Sequence, residues 1–109
     1  MIKGVHSMFY SPHAEELRGF FRDVLEFEYV DAGGGWLIFK PSEAEIGFHP
    51  ADAIRHEISL YCDDIDGVVE KLKGRGVEFP GGIQDRGYGK VAILLGPGGL
   101  EIQLYQPAY

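Results

Sequence analysis

The chain contains one cysteine, Cys62, and so has no partner for an intrachain disulfide. A disulfide-stapled secretory scaffold is not implied. Basic residues are also scarce: 10 Lys and Arg stand against 17 Asp and Glu, a formal net charge of −7. Nucleic-acid or anionic-membrane binding through a basic patch is therefore not expected. A cationic ligand or a bound metal is compatible with that balance. No apolar run approaches the roughly 20 residues that cross a bilayer. The opening MIKGVHSMFY lacks the apolar core of a signal peptide. The expectation is a cytoplasmic protein, with neither nucleic acid nor membrane as a partner.

What is present describes an ordinary globular domain. With 45% apolar and 25% charged residues over 109 positions, the chain can bury one core and is not of disordered composition. KGVHSMFY reads as a strand. Ser11 and Pro12 suit the cap and first turn of a helix carrying Ala14, Leu17, Phe20, Phe21, Val24 and Leu25 at helical spacing. FEYVD, WLIFK and AEIGFH follow as strands. After the link PADAIR the order repeats. EISLYC is a strand, and Ile65, Val68, Val69 and Leu72 form a helical stripe capped by Asp63 or Asp64 and ended by Gly74 or Gly76. VEF, KVAILL and LEIQLYQP are strands, and DRGYGK between them reads as a mobile loop at a cleft mouth.

A doubled strand–helix–strand–strand–strand order is an internal repeat. It predicts an α+β fold of two βαβββ modules, residues 1–50 and 55–109, in a single domain. Eight strands curl around a cleft where a small-molecule ligand would sit.

Alternation then decides which side chains look into that cleft. Ile58, Leu60 and Cys62 are expected beneath the helix, which turns Glu57 inward and leaves His56 out of phase. The same parity turns His6, Glu45 and His49 inward in the first half, and Glu101, Gln103 and Tyr105 in the second. His49 reads first as a strand end before Pro50, and otherwise as an alternative ligand or proton-transfer group. Tyr10, Trp36, Tyr61 and Tyr105 are available to stack on a substrate or to pack. Cys62 lies on the wrong face for a nucleophile and reads as a small buried hydrophobe.

The chain resembles the vicinal oxygen chelate superfamily, which includes glyoxalase I, bleomycin-resistance proteins, fosfomycin-resistance transferases and extradiol dioxygenases. The likeness rests on the doubled βαβββ order and on HSMFYSPHAEELRGFFRDVLEF, YCDDIDGVVEKLKGRGVEF and LLGPGGLEIQLYQP, and it covers the whole chain. It implies the glyoxalase/bleomycin-resistance/dioxygenase fold. It also implies a ligand set carried by the first and last strand of each half, here His6, Glu45, Glu57 and Gln103. Such a set would suit a divalent ion (Mn, Fe, Co, Ni or Zn), with Glu57 able to double as a catalytic base.

Two positions depart from the family pattern. Glu57 stands where histidine is common, and Gln103 stands where glutamate is common. The resemblance thus implies either of two activities. One is a metal-dependent lyase, isomerase or dioxygenase acting on a small oxygen-chelating substrate, with Tyr10, His49, Tyr61 and Glu101 lining its site. The other is a metal-free small-molecule binding protein of the bleomycin-resistance type. Apolar edge surface at Phe27, Tyr29 and Phe79, together with the resemblance, implies a two-fold homodimer.

Overall fold

A computed structural model describes residues 7–41, 43–44, 50, 52–53 and 56–108. Among these residues the fold is α+β, with two α-helices and six strands in two sheets. Helix α1 (Ala14–Gly19) leads into one turn of π-helix, Phe20–Val24. Strands β1 (Tyr29–Asp31) and β2 (Leu37–Phe39) form an antiparallel hairpin. Strand β3 (Ser59–Tyr61) is followed by helix α2 (Ile65–Gly74), then β4 (Gln84–Asp85), β5 (Gly89–Leu95) and β6 (Glu101–Pro107). These four strands lie in the order β3-β6-β5-β4, with β3 parallel to β6 and the other pairs antiparallel. The second half therefore has the expected strand–helix–strands order. The eight-strand curled sheet is not seen: six strands in two separate sheets are described, and the expected strand over 44–49 falls almost wholly outside the described residues.

Helix α2 forms where the sequence places it. Asp64 caps it by accepting from the Gly67 N–H, and Gln106 on β6 accepts from the Ile65 N–H through its side chain. Two otherwise unpaired amides of the first turn are thus satisfied. Ile65, Val69 and Leu72 are buried against Ala92, Leu94, Ile102 and Leu104 of the sheet. Among the described residues, Ile65, Leu94 and Ile102 are the largest fully buried side chains, each stabilising the fold by about 1.5–3 kcal/mol over an exposed position. Phe21 anchors the first half, with its ring 5.5 Å from those of Phe27 and Phe39 and 6.1 Å from that of Phe9.

The structure departs from the sequence reading at several points. The first helix starts at Ala14 rather than Pro12, because the Ser11 hydroxyl accepts from the His13 N–H and closes a local turn. Its second half is π-helical, with Leu25 N–H donating to Phe20 O, which lets Phe27 reach Phe21. Residues 7–10 form no strand. Ile58 precedes the first paired residue of β3 and is exposed rather than covered by α2. Phe79 belongs to the core, and Phe27 packs against it; only Tyr29 of the expected apolar edge is exposed. VEF makes a single bridge, Glu78 to Leu95. DRGYGK is a hairpin turn between β4 and β5, closed by the Arg86 N–H donating to Gly89 O at 2.8 Å.

Candidate functional site

Parallel pairing of β3 with β6 sets Ser59 beside Gln103 and Tyr61 beside Tyr105. Ile102 and Leu104 are buried under α2, so alternation turns Glu101, Gln103 and Tyr105 to the opposite face. There the Gln103 amide Nε2 donates to Glu57 Oε1 at 3.0 Å and to Ser59 Oγ at 2.8 Å. Glu57 thus shares the face of Gln103 and Ser59. The Tyr61 hydroxyl donates to Glu43 Oε2 at 3.0 Å, which brings the first half of the chain to the same face. The Tyr105 hydroxyl donates to Tyr88 O at 3.4 Å, with the two rings 6.2 Å apart. On β5, Val91, Ile93 and Leu95 pair with Tyr105, Gln103 and Glu101, adding an apolar row beside the polar one.

The face thus combines carboxylates from Glu43, Glu57 and Glu101, a hydrogen-bonded amide, and tyrosine rings. It can hold a cationic group by charge and a flat apolar group by stacking. Of the residues singled out from sequence, Glu57, Tyr61, Glu101, Gln103 and Tyr105 share this face. Tyr10 is 89% exposed and lies on no strand. His6, Glu45 and His49 lie outside the described residues. Sequence reasoning did not single out Ser59 or Glu43 as site residues. Ser59 was legible from the parity of its strand. Glu43 carried no signal, since it meets Tyr61 only through the tertiary fold.

The described part of the implied metal set is Glu57 and Gln103, which are hydrogen-bonded to each other. A carboxylate only accepts hydrogen bonds, so the Gln103 amide must present its N–H to Glu57, and the nitrogen rather than the oxygen faces the carboxylate. Among the described residues, no three His, Cys, Asp or Glu side chains are grouped so as to hold an ion. Cys62 is half-buried against the core, and burial pushes its thiol above the ordinary range. A thiol held protonated in this way is a poor nucleophile.

Similar folds occur in several solved structures. TnmS3, an antibiotic binding protein from Streptomyces sp. CB03234, is 24% identical with a TM-score of 0.64, over 90% of this chain and 88% of that one. A protein from the mobile metagenome of V. pseudocholerae is 16% identical with a TM-score of 0.57, over 100% of both chains. An integron cassette protein from the mobile metagenome of V. cholerae is 14% identical with a TM-score of 0.56, over 97% of this chain and 98% of that one. No curated protein matches the sequence. None of the described helices is long and apolar enough to cross a membrane. The family model for the Glyoxalase/Bleomycin resistance protein/Dioxygenase superfamily matches residues 4–104, nearly the full length, and the chain belongs to that superfamily.

Proposed function

We propose that this chain is a small-molecule binding protein whose ligand lies on the face formed by Glu57, Ser59, Tyr61, Gln103 and Tyr105. The observation that carries this reading is the Gln103 amide, whose donors are engaged by Glu57 and Ser59. A side chain committed in this way orders a polar surface. With its nitrogen turned to Glu57, it favours a hydrogen-bonded polar surface over a shared ion. Carboxylates at Glu43, Glu57 and Glu101, the tyrosines beside them and the net charge of −7 favour a cationic ligand with a flat apolar part. The fold shared with an antibiotic binding protein is consistent with such a role.

The experiment is calorimetric titration of metal-stripped protein with a panel of cationic aromatic antibiotics and their neutral counterparts. Binding of a cationic member without added metal is expected. Binding that requires added Mn²⁺, Fe²⁺, Co²⁺, Ni²⁺ or Zn²⁺ would instead support a metal-dependent lyase, isomerase or dioxygenase drawing on His6, Glu45 and Glu57. In the same reading the cleft lies between modules 1–50 and 55–109. Exposed Tyr29, Val30 and Trp36 on the β1–β2 hairpin support a homodimer. Size-exclusion chromatography with light scattering showing a monomer at micromolar concentration would count against the dimer.

A further inference from the structure

On the helix-bearing side of the sheet, away from Gln103, a depression of about 250 Å³ opens between residues 24–27, the end of β3 and α2. That volume is just below the range of about 300–1,000 Å³ usual for ligand pockets, so it would take a ligand smaller than a typical drug. Val24, Phe27, Cys62, Val68 and Leu72 are among its apolar walls, and Glu26, Lys71 and Arg75 line it with charge. Arg75 is committed: Nη1 donates to Val24 O at 2.6 Å, and Nη2 lies 3.4 Å from Glu26 Oε1. Lys71 is different. Its side chain is 63% exposed, and its ammonium lies 4.0 Å from Glu26 Oε2, at the outer limit of an ion pair.

Glu26 holds its place at a cost in backbone strain, because its φ of 58° is left-handed and ordinarily suits glycine. The strain positions one carboxylate between two cations, which leaves the mouth with a net positive charge in an otherwise acidic chain. An apolar chamber with a cationic mouth is complementary to a small amphiphilic anion.

We propose that this depression, which shares Tyr61 with the tyrosine-lined face but none of Glu57, Ser59, Gln103 and Tyr105, is a second binding site for a medium-chain monocarboxylate. The acyl chain lies against Val24, Phe27, Val68 and Leu72, and the carboxylate meets Lys71. Cys62, the only cysteine, forms part of the wall and is a built-in reporter of occupancy.

The test is the rate of Cys62 alkylation by iodoacetamide in the presence of octanoate or 1-octanol. Octanoate is expected to slow the reaction, and Lys71→Glu to weaken that protection roughly fivefold, as for reversal of one exposed charge. Protection by 1-octanol should be unaffected by the substitution. Where the half-buried thiol reacts too slowly to follow, octanoate-induced shifts of the Val68 and Lys71 amide resonances give the same reading. The proposal is overturned if millimolar octanoate neither protects Cys62 nor shifts those amides. It is equally overturned if the shifts fall on Ser59 and Gln103 instead, or if Lys71→Glu leaves octanoate binding unchanged.

Discussion

The side-chain amide of Gln103 donates to the Glu57 carboxylate at 3.0 Å, tying β6 to the segment that leads into β3. Replacing that amide with a carboxylate changes the chemistry of the face without changing its shape. Gln103→Glu sets two like charges side by side, which raises the affinity of one for a proton and of the pair for a divalent ion. The expected outcome is measurable Ni²⁺ or Mn²⁺ binding by Gln103→Glu that exceeds the wild type in calorimetry. Equal and tight binding by both proteins would contradict the metal-free reading.

Glu57 and His56 lie side by side in the segment that leads into β3. Glu57→Gln is expected to weaken binding of a cationic ligand by about 1.5–3 kcal/mol, the usual worth of a hydrogen bond to a charged group. His56→Gln should leave affinity nearly unchanged, since it is the neighbouring Glu57 to which Gln103 donates. Titration of both variants with the same ligand decides the matter. Reversed results would mean that the ligand occupies the other face.

Gly89 is required by a close approach between backbone and ring. A Cβ there would lie 2.5 Å from Gln106 O and 2.7 Å from the Tyr105 ring. Gly89→Ala should therefore destabilise the fold by about 1–3 kcal/mol, as overpacking does, and should displace Tyr105. Urea unfolding gives the first quantity, and tyrosine ring resonances report the second. An unchanged midpoint would show that the β5–β6 pairing yields more easily than its geometry indicates.

The half-buried thiol of Cys62 links stability to alkaline pH. Burial raises its folded-state value above the unfolded one, so both states are protonated below the unfolded value and the contribution is complete there. As pH rises, the unfolded chain ionises first, and stability falls through the folded value. Relative to Cys62→Ala, the wild type should lose stability faster above the ordinary thiol range. Parallel losses in thermal melts across that window would sink the argument.

Local pattern was enough to locate α2 and the strands on which it rests. Asp64, the Ile65, Val69, Leu72 stripe and the alternation of Ile102 and Leu104 each act within a few residues of chain. That Glu57 and Gln103 share one face was legible for the same reason, because a strand's two faces follow from its pleat. Which residues those faces meet was not. Ser59 stands beside Gln103 only because the chain crosses through α2 and returns by two further strands to lay β6 parallel to β3. Tyr61 meets Glu43, and Arg75 meets Val24 and Glu26, across separations that periodicity does not encode. Phe79 and the π-helical turn at Phe20–Val24 likewise follow from packing, where burying a ring outweighs local preference. Side-chain direction is a local property of the backbone. The face bearing Gln103 and the pocket beside α2 arise when distant segments bury their apolar surfaces together.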